Sequence, residues 1–180
     1  LRLYLEGASL DAGSPLEVVY SAGEALTAEL SEAVCTAWNV TLWNLYGPTE
    51  MCCGQTGTLV DLGEPVASIG RATPGHRVTV VDEWGTPRAV GVDGEVLIAG
   101  FGEARGYCGM PRRTAATFLP TAYDAPGARA YATGDVARWS STGVPNPRDG
   151  GAPPPKDSSF FAGTEARGPE DCCVLAGPEG

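Results

Sequence analysis

The chain has 180 residues, 43% of them hydrophobic, which suits one globular domain or a part of a larger one. Twelve Lys and Arg against 22 Asp and Glu give a formal net charge of −10, so we expect neither a nucleic-acid partner nor a membrane partner. No apolar run could span a bilayer and residues 1–16 show no signal-peptide pattern, which predicts a cytoplasmic location.

The cysteines and lysines limit the chemistry further. Six cysteines occur as two adjacent pairs and two single residues, without the spacing of a metal site, and we interpret them as reduced thiols. The sequence contains a single lysine, Lys156, within the stretch GGAPPPKDSS. Chemistry that requires a fixed lysine therefore has one candidate, in a proline-rich context.

The first predicted elements are a strand, a helix and a second strand. Leu16–Tyr20 is a compact apolar run typical of a buried strand. Apolar residues then recur at every fourth position from Leu26 to Trp38, which predicts an amphipathic helix with Thr27 as a candidate N-cap. Residues 41–46 form the next strand. This order is the βαβ signature of a doubly wound α/β sheet.

The second strand runs into the sequence WNLYGPTE at residues 43–50. Gly47 is expected to supply a backbone conformation that other residues avoid, and Pro48 fixes the next φ, which predicts a sharp turn. Thr49 and Glu50 then lie at the carboxyl end of the strand, where ligands bind in open α/β sheets. A hydroxyl and a carboxylate there suit a phosphate and its magnesium ion. A plain strand-ending turn is the alternative interpretation.

From about residue 58 the pattern is rich in short strands and turns. Val78–Val81 and Glu95–Ala99 are predicted strands, and Thr114–Phe118 is predicted to form one short helical turn. Two further strand segments flank a predicted turn at Thr133–Asp135. Short strands separated by glycine turns predict a small sheet or a barrel-like subdomain.

The last forty residues have a different composition. Residues 141–180 hold seven Gly and seven Pro but only five large apolar residues, so they are predicted to be a disordered tail. The predicted organisation is therefore a βαβ portion over residues 1–57, a β-rich subdomain over 58–140 and the tail over 141–180.

Four motifs occur in a fixed order and carry a family resemblance. They are SAGEAL at 21–26, NLYGPTE at 44–50, the segment from IGRATPGHRV to RRTAATFLP at 69–120, and YATGDVARW at 131–139. Together they resemble the adenylate-forming enzymes, and most closely the amino-acid adenylation domains of nonribosomal peptide synthetases. The resemblance covers roughly residues 1–140 and implies part of the large N-terminal domain of that α/β fold. It also implies activation of a carboxylate by ATP to an acyl-adenylate and pyrophosphate, followed by transfer to a phosphopantetheine thiol on a carrier-protein domain.

The resemblance implies a nucleotide and magnesium site built from the motif residues. The stretch Gly23, Glu24 and Ala25 would cover one face of the adenine, Asn44 and Tyr46 would bind and stack on it, Thr49 would contact phosphate, Glu50 would bind Mg²⁺ and Asp135 would bind the ribose hydroxyls of ATP or AMP. A carboxylate aimed at a diol accepts two hydrogen bonds, and an acid on magnesium helps to neutralise the phosphates, so these roles are chemically sound. A structural role at the start of the helix is the alternative for Glu24, and a turn cap is the alternative for Asp135.

The resemblance further implies a side-chain pocket for the amino-acid or other carboxylate substrate. Its lining would include Tyr20, Ala22, Leu45, Cys53 and Gly54. None of these residues carries a charge, which favours an apolar or small amino acid.

Two catalytic elements of the family have no counterpart in the sequence. The Ser/Thr/Gly-rich phosphate loop with its lysine is absent, and no GR-x-D hinge or catalytic-lysine domain follows Trp139. We therefore assign no catalytic residue, do not assign the lysine role to Lys156, and interpret the chain as a fragment that is inactive alone. The alternatives are a non-catalytic remnant that acts as a binding module and a fragment of an acyl-CoA-type carboxylate ligase of the same superfamily.

Overall fold

The computed structural model describes residues 15–62, 68–121 and 127–140, together with the backbone of residues 172–175. Within these ranges the chain forms nine strands, two α-helices and one short 3₁₀-helix. The strands are β1 (Val18–Ser21), β2 (Thr41–Tyr46), β3 (Thr56–Leu59), β4 (Ser68–Ala72), β5 (His76–Val81), β6 (Gly94–Gly100), β7 (Phe118–Pro120), β8 (Arg129–Ser140) and β9 (Cys172–Leu175). The helices are α1 (Ala28–Trp38), α2 (Pro111–Thr117) and the 3₁₀-helix Thr49–Met51.

The predicted strand–helix–strand unit is confirmed at the start of the described chain. The Thr27 side chain caps α1 by accepting a hydrogen bond from the Leu30 N–H at 3.2 Å. Asn39 ends the helix in the left-handed conformation, and its N–H donates to the Cys35 carbonyl at 2.9 Å. β1 and β2 are parallel neighbours whose register runs from Val18–Thr41 to Ser21–Asn44.

Helix α1 covers one face of the β1–β2 pair. Val34 of α1 and Leu26, which precedes the N-cap, form a buried cluster with Val40 and Leu42. Leu30 and Trp38 pack against this cluster, because positions four apart lie on one side of the helix. The residues beside Leu42 in β2 point away from this cluster, since side chains alternate along a strand. That second face carries Tyr20 and Leu45, two of the residues predicted to line a substrate pocket.

The strands form a single sheet in the order β1-β2-β3-β4-β9-β8-β6-β5, with β7 paired to β8. Among the described pairs β1–β2 is parallel and the others are antiparallel. The predicted boundary between residues 57 and 58 falls inside β3. Because β3 pairs with β2 on one side and with β4 on the other, it joins the predicted βαβ portion to the predicted β-rich subdomain. The division of the chain at that boundary stays a prediction.

A second apolar cluster lies between β4, β5, β6 and β8. Six consecutive residue pairs join β5 to β6, and β6 also pairs with β8. Both faces of β6 are buried: Val96 and Ile98 enter this cluster, while Leu97 and Ala99 enter a smaller cluster on the opposite face. The cluster consists of Met51, Ile69, Val78, Val80, Val96, Ile98, Phe118, Tyr131 and Ala137.

Two predicted boundaries differ from the structure. The turn predicted at Thr133–Asp135 is a bulge inside the continuous strand β8, where the register with β6 shifts between Glu95 and Leu97. The Thr133 hydroxyl donates to the Val96 carbonyl at 2.9 Å and Gly134 has a φ of 77°, so turn chemistry is present within the strand. The predicted helical turn is the longer helix α2, which begins at Pro111 because proline suits the first helical position.

The predicted disordered tail requires a correction at four residues. Cys172–Leu175 form β9, whose backbone pairs with β4 on one side and with β8 on the other. The prediction failed here because it was based on the average composition of all forty residues, whereas the short run CCVL has the apolar character that suits a strand. The remainder of residues 141–180, including Lys156, lies outside the described residues. In the described part of the chain neither helix has the length and apolar character that crossing a membrane requires.

Candidate functional site

The turn after β2 depends on glycine for a reason other than the predicted one. Gly47 does not have a positive φ, so the expectation of an unusual backbone conformation is wrong. A Cβ at this position would instead collide with Gln55 Oε1 and would lie 2.6 Å from the backbone nitrogen of Gly54. Gly47 is therefore required because the chain after the 3₁₀-helix packs directly against the turn.

Thr49 and Glu50 open the 3₁₀-helix at the carboxyl end of β2. The i to i+3 hydrogen bond of this 3₁₀-helix runs from the Met51 N–H to the Pro48 carbonyl at 3.0 Å. The Thr49 side chain is exposed and that of Glu50 is partly buried. The Ala104 N–H donates to the Glu50 carbonyl at 2.7 Å, which ties this turn to the glycine-rich loop after β6.

The Glu50 carboxylate belongs to a hydrogen-bonded chain of side chains. The Tyr107 hydroxyl donates to Glu50 Oε1 at 2.7 Å, and the Tyr131 hydroxyl lies 3.4 Å from that of Tyr107. The bond from Tyr107 lowers the pKa of Glu50, because it stabilises the carboxylate form. Burial, followed by the bond with Tyr107, raises the pKa of Tyr131 and keeps this phenol protonated. Sequence reasoning missed both tyrosines, although Tyr107 ends the stretch ARGY (104–107) within the motif segment 69–120 and Tyr131 begins YATGDVARW.

Tyr46 and Asp135 meet although 89 positions separate them in the chain. The Tyr46 hydroxyl donates to Asp135 Oδ2 at 2.5 Å. The bulge in β8 orients the carboxylate, since the Asp135 N–H donates to the Thr133 hydroxyl and the Gly134 N–H donates to Glu95 Oε1, both at 3.0 Å. The structure thus brings the last residue of β2 and the predicted ribose ligand to the same edge of the sheet.

Asn44 has a structural partner in addition to its predicted role. Its side chain is buried, and Nδ2 donates to the Ser68 carbonyl at 3.0 Å, joining β2 to the start of β4. This bond satisfies a buried amide that would otherwise be costly. Contact between Asn44 and adenine stays a prediction.

The loop Gly23–Ala25 lies at the same edge of the sheet as Tyr46. Ser21 is the register partner of Asn44, so the residues that follow β1 leave the sheet beside Leu45 and Tyr46. All three loop residues are exposed, and Gly23 has a φ of 92°. The acidic residue in the first turn of α1 is Glu29, so Glu24 lies before the helix rather than within its first turn.

The predicted pocket residues share one face of the sheet. Tyr20 is the register partner of Trp43, and Leu45 lies two positions further on, so all three point away from α1. A Cβ at Gly54 would lie 3.5 Å from Leu45 Cδ1, which places Gly54 against this face. Ala22 and Cys53 are exposed at its border.

The residues at this edge fit a magnesium ion that is bound together with phosphates. Among the described residues no group of three or more His, Cys, Asp and Glu could hold a metal ion by itself. Mg²⁺ in nucleotide sites is usually bound by one or two carboxylates together with phosphate oxygens and water. The partly exposed Glu50 carboxylate meets that requirement with one oxygen engaged by Tyr107.

Comparison with known proteins agrees with this architecture. The AMP-binding enzyme family model matches residues 2–108. Phosphinothricin tripeptide synthetase PhsB of Streptomyces viridochromogenes is 39% identical over 145 residues, which are 80% of this chain and 12% of the synthetase. The chain therefore belongs to the AMP-binding enzyme family, and the resemblance to adenylation domains of nonribosomal peptide synthetases is confirmed.

Solved structures show the same fold. PA1221, a nonribosomal peptide synthetase protein containing adenylation and PCP domains, has a TM-score of 0.63 at 32% identity, over 69% of this chain and 26% of that one. Adenylation domain AlmE of Vibrio cholerae, in complex with glycyl-adenosine-5'-phosphate, has a TM-score of 0.63 at 27% identity, over 77% of this chain and 27% of AlmE. The chain thus spans about a quarter of these structures and a smaller share of the curated relative.

Proposed function

We propose that this chain supplies the nucleotide-binding edge of a site that adenylates an amino acid with ATP for nonribosomal peptide synthesis. The bond between Tyr46 and Asp135 carries the proposal, because it unites the motifs YGPTE and YATGD at the end of β2. Thr49 and Glu50 follow on the same turn. Ligands of open α/β sheets bind in the crevice at such strand ends.

The proposed roles follow from the chemistry of each side chain. The Tyr46 hydroxyl engages Asp135 Oδ2, so Oδ1 can accept a hydrogen bond from a ribose hydroxyl while the Tyr46 ring offers a stacking surface for adenine. Gly23, Glu24, Ala25 and Asn44 lie at the same edge and would enclose the base. The exposed Thr49 hydroxyl would contact a phosphate oxygen.

Glu50 would hold Mg²⁺ beside those phosphates. When bound, the ion would supply positive charge against the charge that develops as pyrophosphate departs. The hydrogen bond from Tyr107 keeps the carboxylate ionised and fixes one of its oxygens. The protein's own contribution is thus a pre-oriented anionic ligand.

The substrate belongs to the same proposal. The face formed by Tyr20, Leu45 and Gly54 carries no charge, which suits an apolar or small amino acid. AlmE was solved with glycyl-adenosine-5'-phosphate, an aminoacyl adenylate of the kind proposed here. Because PA1221 contains a PCP domain, we extend the proposal to a phosphopantetheine carrier as acceptor.

A non-catalytic binding role is the second candidate, and the single lysine favours it. Losing one group that stabilises the charge developing in the transition state typically lowers the catalytic rate about 10²–10³-fold. Lys156 is the only lysine in the sequence and lies within a proline run. Positioning contributes much of catalysis, so we expect the 180-residue polypeptide to give no pyrophosphate exchange at an enzyme-like rate with any of the common amino acids.

Nucleotide binding provides the direct test. We expect the purified chain to bind Mn²⁺·ATP, measured by calorimetry and by the electron paramagnetic resonance of free Mn²⁺. Asp135→Ala should weaken binding about tenfold or more, because it removes charge-assisted hydrogen bonds to the ribose. Asp61→Ala is the matched control, since Asp61 is exposed beyond the end of β3 that is remote from Tyr46. Equal affinities for Asp135→Ala and the wild-type chain would contradict the ribose assignment.

A further inference from the structure

Tyr107 is held at several points around its contact with Glu50. Its N–H donates to the Thr114 hydroxyl at 2.9 Å, and the Arg113 guanidinium lies 4.2 Å from the centre of its ring. The ring also makes an edge-to-face contact with Phe118, with 5.9 Å between the ring centres. Helix α2 and the start of β7 therefore fix the direction in which the hydroxyl points.

Gly106 allows this arrangement. It has a φ of 138°, and a Cβ there would lie 2.7 Å from the Thr114 hydroxyl oxygen. A side chain at this position would therefore separate the ARGY segment from α2. The local sequence thus brings the Tyr107 backbone close enough to be anchored by Thr114.

The geometry gives the direction of the hydrogen bond to Glu50. An ionised carboxylate accepts only, so Tyr107 donates its proton to Glu50 Oε1. The side chain of the buried Tyr131 lies beside both groups: its hydroxyl is 3.4 Å from that of Tyr107, and it also hydrogen-bonds with the Glu50 carboxylate. Hydrogen bonds within such a network polarise one another, so Tyr131 supports the contact between Tyr107 and Glu50.

We propose that Tyr107 is a positioning residue for the metal ligand Glu50, with Tyr131 as its support. The Tyr107 hydroxyl engages Oε1 and thereby sets the carboxylate rotamer in which Glu50 would hold the magnesium ion. This inference rests on the proposed function for the identity of the ion, while the fixed rotamer of Glu50 rests on the geometry alone. A neighbour from a distant segment of the chain thus sets the direction in which the Glu50 carboxylate points.

Crystal structures of the wild-type chain and of Tyr107→Phe test the geometry without any nucleotide. We expect the single Glu50 conformer of the wild-type chain to be replaced in the variant by a different rotamer or by several. Trp84→Phe is the control, because Trp84 lies at the far end of the β5–β6 pair, where the loss of aromatic contacts should leave Glu50 unchanged. A Glu50 side chain in the wild-type rotamer, fully ordered in Tyr107→Phe, would overturn the proposal.

The second measurement compares the affinity for Mn²⁺·ATP with the affinity for metal-free ATP, which is obtained by adding excess chelator. Tyr107→Phe should weaken Mn²⁺·ATP binding about three- to tenfold, as expected for losing one typical intramolecular hydrogen bond, and should leave metal-free ATP binding unchanged. Tyr131→Phe should produce a smaller loss in the same direction. A variant that loses both affinities equally would show a merely structural role and would overturn the proposal.

The two measurements separate this inference from the proposed function. A wild-type chain that does not bind Mn²⁺·ATP would refute the nucleotide site, while the Glu50 rotamer in Tyr107→Phe would still decide the positioning role. If the wild-type chain binds Mn²⁺·ATP and Glu50→Gln binds it equally well, the assignment of Glu50 as the metal ligand would be refuted. Selective loss of metal-dependent affinity in Tyr107→Phe supports both conclusions.

Discussion

The β5–β6 pair and the edge formed by Tyr46 and Glu50 are built in different ways. In β5–β6 six consecutive residue pairs join neighbouring strands, and the inward side chains such as Val80 and Ile98 are fully buried. At the site edge the decisive contacts join Tyr46 to Asp135 and Glu50 to Tyr107, across 89 and 57 positions. These contacts are polar and lie at partly exposed positions.

The difference separates the source of stability from the source of function. Burial of apolar area stabilises β5–β6 and depends little on the precise angle of any one side chain. A hydrogen bond of the site edge contributes about 0.5–1.5 kcal/mol to folding, but it determines where a carboxylate oxygen points. Substitutions in β5–β6 should therefore change the free energy of unfolding, and those at the site edge should mainly change the affinity for nucleotide.

The largest expected effect is a core truncation in β6. Ile98→Ala should lower the free energy of unfolding by about 2–5 kcal/mol, since it removes a fully buried side chain and leaves a cavity. Urea unfolding followed by circular dichroism measures the change. Val136→Ala is the control on β8, and because Val136 is 47% exposed it should change stability by less than about 0.5 kcal/mol. Similar losses in the two variants would show that burial does not distinguish these regions.

Gly47→Ala should have the next largest effect, because it inserts a methyl group against the Gly54 backbone and the Gln55 side chain. We expect a loss of about 1–3 kcal/mol together with weaker Mn²⁺·ATP binding, as the 3₁₀-helix is displaced. Thermal unfolding and calorimetry measure the two quantities. The control is Gly85→Ala, where nothing lies within 4 Å of the added Cβ, so that only backbone strain is introduced. That control should leave nucleotide binding unchanged, and an equal effect of both variants on binding would contradict the packing explanation.

The sequence predicted the regular elements better than the site. The four-residue repeat from Leu26 to Trp38 and the Thr27 cap determine α1 locally, and the structure agrees with them. The contact of Glu50 with Tyr107 could not be predicted, because no periodicity relates a 3₁₀-helix to a loop 57 positions later. The bulge at Thr133–Asp135 was predicted as a turn, since local turn chemistry does not show whether pairing continues on both sides. The strand β9 depends on partners far away in the chain.

The smallest expected effect is on the pH dependence of stability, through Asp82 in the turn after β5. Asp82 Oδ1 accepts the N–H of Thr86 at 2.8 Å and that of Trp84 at 3.0 Å, and the bond from Thr86 is the main reason why the pKa of Asp82 is lowered. A folded pKa below the unfolded value of about 3.9 means that the contribution to stability is complete above that pH and is lost as the pH falls through the folded pKa. Asp82→Asn should therefore be less stable than the wild-type chain near neutral pH, and this deficit should shrink on acidification. Thermal unfolding from about pH 2 to about pH 7 measures it, with Asp61→Asn as the control for loss of one exposed negative charge. A deficit that stays constant with pH would show that the Asp82 carboxylate does not stabilise this turn, and β5–β6 would then owe its order to burial alone.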